Sequence, residues 1–170
     1  AGLALAVQRF SSLRTLSIRY LDECFETSEF DHILWQLPSL TSCELSFPAK
    51  SLLAPELESF DGDVLPEASC SLRRLTSLTL RGPLSAEHAA RIAVHTNRLR
   101  TLDVYCTPTL VIELLASLPA LEALCAETPT SEASADFKIP AHRLVAQQKS
   151  LVLTGDMVLL CALAGLRFPH

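Results

Sequence analysis

The sequence predicts an α/β solenoid: short parallel strands stacked along one side, with helices and extended segments along the other. Three observations carry that expectation. A phrase with the apolar spacing L-x-x-L-x-L recurs as Leu13-x-x-Leu16-x-Ile18, Leu40-x-x-Cys43-x-Leu45, Leu75-x-x-Leu78-x-Leu80, Leu99-x-x-Leu102-x-Val104 and Leu121-x-x-Leu124-x-Ala126. Helix-like segments lie between several of these phrases. The composition is aliphatic rather than aromatic, with 49% of the 170 residues hydrophobic and 6% aromatic. A unit with one modest apolar face cannot fold alone, but it buries that face when units stack.

The second apolar residue of each phrase sets the spacing. Leu16, Cys43, Leu78, Leu102 and Leu124 are separated by 27, 35, 24 and 22 residues. A strand-plus-helix unit takes roughly 20–29 residues, so the longest step holds a further unit. Leu57-x-x-Phe60-x-Gly62 supplies it and divides the gap into 17 and 18 residues. Those connections are short for helices, and Pro48, Pro55 and Pro66 oppose helix in both. Extended returns are expected there. A weaker phrase, Leu151-x-Leu153, follows Leu124 by 27 residues. The whole amounts to about six or seven units in a single domain, 1–170.

Ser28 with Asp31 resembles a helix cap, and Phe30, Ile33, Leu34 and Leu37 then form one helical stripe. Ser85 is placed to cap a helix over residues 86–97, with Ala89, Ile92, Ala93 and Thr96 inward. Thr107-Pro108 opens another, with proline in the first turn. Its inner face is Val111, Leu114, Leu115 and Leu118, and Pro119 ends it. A fourth helix is expected over residues 156–164, stopped by Gly165. Residues 127–141, rich in small polar residues around Pro129, read as an exposed loop.

The same composition excludes several classes. The longest uncharged apolar run, residues 157–166, is about half the ~20 residues a membrane-spanning helix needs. The apolar start, residues 1–7, lacks a preceding basic region and reads as the tail of an earlier repeat helix rather than a signal peptide. The last residues, 166–170, read as the opening of another unit, so the chain is expected to be part of a longer array. A net charge of −5 argues against nucleic acid as the main partner. The six cysteines form no C-x-x-C pair. Two of them, Cys43 and Cys125, sit inside phrases, which suits small thiols in a reduced compartment, cytoplasm or nucleus.

No catalytic constellation stands out. His88 and His95 share a helix but lack a third ligand type at matching spacing. Asp61-Gly62-Asp63 lacks the closing glutamate of a calcium loop. Five glycines leave little for a phosphate-binding loop. The chain is therefore expected to be a non-enzyme without metal or cofactor.

The phrases resemble those of the leucine-rich repeat superfamily over essentially the whole chain. The strand-then-helix unit looks like the ribonuclease-inhibitor-like class. The irregular spacing, with the segment Ala54-Pro55-Glu56-Leu57-Glu58-Ser59-Phe60, is similar to the repeat arrays of F-box proteins. That resemblance implies a protein-interaction module. It also implies, as an alternative, the substrate-receptor arm of a ubiquitin ligase, joined to its adaptor by sequence outside this chain. A third class is a structural subunit of a larger assembly. One departure stands out: the family's turn asparagine or cysteine is replaced by Leu21, Pro48, Pro83, Thr107 and Pro129. This favours an uneven arc.

In such a phrase, the residues flanking the second apolar position point away from the core. Three outward columns follow. The first is Thr15, Ser42, Ser59, Ser77, Thr101 and Ala123. The second is Ser17, Glu44, Asp61, Thr79, Asp103 and Cys125. The third is Arg19, Ser46, Asp63, Arg81, Tyr105 and Glu127. Glu44, Asp61, Asp63, Asp103 and Glu127 outnumber Arg19 and Arg81, so the face is expected to receive a basic protein segment, with Tyr105 as an aromatic anchor. Separately, Arg73, Arg74, Arg98 and Arg100 flank consecutive strands. They fit either an acidic partner or a solvated rim.

Overall fold

The computed structural model describes residues 11–19, 35–47, 51–127 and 150–154. The expected helices at residues 28–34 and 156–164, the loop after residue 127 and both chain ends lie outside these residues. The described chain is α/β. Its strands are β1 (Thr15–Ile18), β2 (Trp35–Gln36), β3 (Ser42–Leu45), β4 (Leu52–Leu53), β5 (Ser59–Gly62), β6 (Ser77–Pro83), β7 (Thr101–Tyr105), β8 (Ala123–Glu127) and β9 (Ser150–Thr154). Two α-helices are α1 (Ala86–His95) and α2 (Pro108–Ser117), and a 3-10 turn spans Ser69–Ser71.

Seven strands form one parallel sheet in chain order, β1-β3-β5-β6-β7-β8-β9. The phrases stack residue on residue: Leu16, Cys43, Phe60, Leu78, Leu102, Leu124 and Leu151 are successive partners. From Leu16 to Leu124 these positions belong to one continuous buried cluster, together with Leu40, Leu57, Leu75, Leu99 and Leu121. Each buried leucine removed from water is worth about 1.5–3 kcal/mol. Repetition of one small contribution therefore builds the core.

The degenerate phrase is a full strand. Phe60 takes the second position and Gly62 the third. A Cβ on Gly62 would lie 2.7 Å from Phe60 Cζ. The large ring thus occupies the space that the third apolar side chain fills elsewhere.

A recurring turn leads into each phrase. Leu40, Leu57, Leu75, Leu99 and Leu121 donate their backbone N–H to the carbonyls of Leu37, Ala54, Leu72, Thr96 and Leu118. Pro38, Pro55 and Pro119 stand second in three of these turns, where a fixed φ is favourable.

The residue just before each strand then locks the next one. The Arg14, Thr41, Glu58, Thr76 and Arg100 carbonyls each accept two backbone N–H groups from the following unit.

Behind the sheet the connections differ. Ser85 caps α1, its hydroxyl accepting from the His88 N–H at 3.2 Å. That helix buries Ala89 and Ile92 and stops at His95, two residues earlier than expected. Thr96 closes it, its hydroxyl donating to the Ile92 carbonyl at 2.6 Å. The buried face of α2 is Val111, Leu114 and Leu115, continued by Leu118.

The expected stripe ending at Leu37 is corrected at its described end. Trp35 and Leu37 are buried and Gln36 is exposed, a period of two. The Trp35 N–H donates to Ser51 O and the Leu37 N–H to Leu53 O, so β2 pairs with β4 in a second, two-stranded sheet. Pro38 disfavours helical geometry at Leu37 and so fixes this choice.

The first short connection is therefore extended, as expected. The second is not, since its layer is the 3-10 turn. There the buried Ser71 hydroxyl substitutes for a strand. It donates to Leu52 O and accepts from the Ala54 N–H, both at 2.8 Å.

Two substitutions test this account, with buried Trp35 as the fluorescence reporter of urea unfolding. Ser71→Ala leaves two buried backbone groups unpaired and is expected to cost about 1–3 kcal/mol. A loss below about 0.5 kcal/mol would show that β4 does not depend on this hydroxyl.

Gly62→Ala is expected to cost about 1–3 kcal/mol by overpacking. Phe60→Leu with Gly62→Ala recreates the Leu124-x-Ala126 pattern and should recover much of that loss. Simple additivity of the two changes would mean that they do not share one space.

Candidate functional site

The outward columns are real lines of neighbours. Thr15, Ser42, Ser59, Ser77, Thr101 and Ala123 are successive register partners, and so are Ser17, Glu44, Asp61, Thr79, Asp103 and Cys125. The third column needs correction at β6. Pro83, not Arg81, pairs with Tyr105, because the register shifts between Leu80 and Pro83. Gly82 allows the bulge: a Cβ there would sit 2.5 Å from the Asp63 carbonyl oxygen. Arg81 is thereby released from the β7 register and reaches back over β5 and β3.

The eight expected face residues fall into two groups. In the first, Arg19 Nε donates to Glu44 Oε1 at 2.8 Å and Arg19 Nη2 to Glu44 Oε2 at 3.3 Å. The Ser17 hydroxyl adds a bond to Glu44 Oε2 at 2.8 Å. Arg81 Nη2 lies 2.9 Å from Asp61 Oδ2 and 3.4 Å from Glu44 Oε1. Arg81 Nη1 also donates to the Ser46 hydroxyl. Two carboxylates and two guanidiniums cancel, so this half of the face carries no net charge. The residue list showed five acids against two bases but not which of them meet. Asp61 still has an unpartnered buried oxygen, Oδ1, among the described residues.

The second group is Asp103, Tyr105 and Glu127, with Asp63 nearer the bulge. Among the described residues none of the three carboxylates has an ion pair. Asp103 pairs in register with Cys125, and Tyr105 with Glu127. Parallel strands lie about 4.8 Å apart and alternate residues about 6.6 Å apart, so these groups form one compact patch.

Beside it, Ser77, Thr79, Thr101, Asp103, Ala123 and Cys125 line a shallow depression of about 160 Å³. Its floor is low because the first column carries only small side chains.

The thiols report the same electrostatics. Burial pushes Cys43 and Cys106 up to about 12. Burial also raises half-buried Cys125, and the Asp103 and Glu127 carboxylates raise it further, Asp103 by charge and as hydrogen-bond acceptor. These are neutral thiols rather than nucleophiles. Asp61-Gly62-Asp63 runs through β5 into the following bend, with Asp61 held by Arg81. Among the described residues, no group of three or more His, Cys, Asp or Glu converges as a metal site.

At the strand-entry edge the structure joins Arg73, Arg74 and Arg98 around one cavity. Arg100 does not belong to it; it faces Glu122 at 3.6 Å. The signal for this clustering was the repeated turn, since Arg73-Arg74 and Asn97-Arg98 fill the middle of two consecutive turns.

Comparison with family models, curated proteins and solved structures gave no match to this chain. No helix among the described residues is long and apolar enough to cross a membrane.

Arg19, first by its hydrogen bond, and then Ser17 hold the Glu44 carboxyl below the ordinary glutamate range. A pKa lowered by folding gives stability that is present above the unfolded value, about 4.3, and lost as pH falls through the lower folded value. Glu44→Gln is therefore expected to flatten the fall of stability with pH below about 4.3, followed by Trp35 fluorescence. An unchanged slope would mean that the Arg19 and Arg81 contacts are not held in solution.

Proposed function

We propose that this chain is a leucine-rich repeat solenoid of the kind its phrases resemble, acting as a non-catalytic protein-interaction module. Its outward sheet face receives a basic segment of a partner protein. The observation that carries this reading is the division of the face. The acids on β3 and β5 are neutralised from within, whereas Asp103 and Glu127 stand beside Tyr105 without an ion pair among the described residues.

The depression next to Asp103 accommodates the aliphatic stem of a lysine or arginine whose charged end reaches the carboxylate. Tyr105 offers a large, rigid contact area at low entropic cost. The seven-stranded sheet supplies a rigid platform, and its Ser and Thr floor lets a chain lie flat against it.

The test uses a fluorescent peptide of alternating Arg and Ser, followed by anisotropy at two salt concentrations. Asp103→Lys with Glu127→Lys is expected to weaken binding about tenfold and to reduce its salt dependence. Equal affinity and equal salt dependence in the variant would overturn the proposal.

A further inference from the structure

The strand-entry edge carries a second surface, of opposite sign. Two consecutive turns present Arg73, Arg74, Asn97 and Arg98, and the end of α1 adds Val94 and His95. Together they surround an open cavity of about 610 Å³, within the roughly 300–1,000 Å³ range of ligand sites. Arg74 is committed along the ridge: it pairs with Glu56 of the preceding turn and lies 3.7 Å from Glu58. Arg73 and Arg98 are exposed and have no ion pair or hydrogen-bond partner among the described residues. Val94, 72% exposed, is the exposed large hydrophobic side chain of the described residues.

The cavity meets the C-terminal end of α1, where the helix dipole carries about half a negative charge. Two unpaired guanidiniums outweigh it. Thr96 also covers the Ile92 carbonyl with both its N–H and its hydroxyl.

We infer that this cavity binds an acidic segment of a protein partner, its carboxylates taken by Arg73 and Arg98 and an aliphatic side chain covering Val94. Guanidinium forks match carboxylates in two-point contacts. The Asn97 amide can pair with a peptide backbone on both its donor and acceptor sides. A compact phosphate is the poorer fit. It prefers converging backbone N–H groups, whereas the backbone here is the carbonyl end of a helix. The arginines come from separate turns, which suits charges spaced along a chain. The site is distinct from the acidic sheet face and does not depend on that reading.

The experiment uses the 170-residue chain and a fluorescent peptide of alternating Glu and Leu. Saturable binding is expected. Arg73→Gln with Arg98→Gln should weaken it tenfold or more (about tenfold is 1.4 kcal/mol), and Val94→Ser should weaken it several-fold. Asp103→Asn with Glu127→Gln, on the sheet face, should leave it unchanged. The Arg73→Lys, Arg98→Lys pair keeps charge but loses the fork and should give an intermediate loss. It also decides the matter if the Gln pair shifts the Trp35 unfolding transition. Equal affinity in the arginine variants overturns the inference. So does displacement of the peptide by inorganic phosphate at an equal concentration of charge, or tighter binding of single-stranded RNA through the same two arginines.

Discussion

Consecutive parallel strands can slide past one another by a residue at small backbone cost, but such a slip turns every side chain to the opposite face. In this chain the slip is blocked once per unit. The carbonyl before each strand accepts two N–H groups from the next unit, and the turn behind it closes on the first leucine of the phrase. The lock uses only backbone groups and a buried apolar residue at the turn's first position. It therefore tolerates the change from helix to strand to 3-10 turn behind the sheet. The sheet stays regular while its backing does not.

That constraint explains why so much was legible. A fixed register makes sequence position equivalent to spatial position. The L-x-x-L-x-L spacing thus located the strands from β1 to β8, the leucine core and two of the three outward columns. Even the Phe60–Gly62 unit could be placed from spacing alone, because volume is shared between second and third positions. What failed to show was whatever crosses between units. Glu44 with Arg19 and Arg81, Ser71 with β4, and Gly82 under the Asp63 carbonyl join residues 17 to 37 positions apart. Nothing in a local pattern specifies such pairs. The stripe ending at Leu37 misled for a different reason: a helical spacing of apolar residues competed with the local restriction imposed by Pro38, and the restriction won.

The bulge at Arg81–Pro83 shows how one local irregularity redistributes charge. Had β6 continued in register, Arg81 would stand beside Tyr105, close to Glu127, and would neutralise the β7–β8 patch. The extra residues free it to reach Asp61 and Glu44 instead. An exposed ion pair contributes only about 0–1 kcal/mol to stability. The effect of this one is therefore less on folding than on which carboxylates remain available.

The turn ridge follows the same logic with opposite sign. Its middle positions run Pro38-Ser39, Pro55-Glu56, Arg73-Arg74, Asn97-Arg98 and Pro119-Ala120. Charge is concentrated where two non-proline turns follow one another, since proline supplies rigidity but no polar group. Glu56 engages Arg74 on one side, and Ala120 offers Arg98 nothing on the other. An arginine ridge with a counter-ion at one end only keeps its free charge at the other. The lock that aligns apolar side chains in the core thus also aligns the turns. It sets an acidic patch on the sheet face and a basic cavity at the sheet edge.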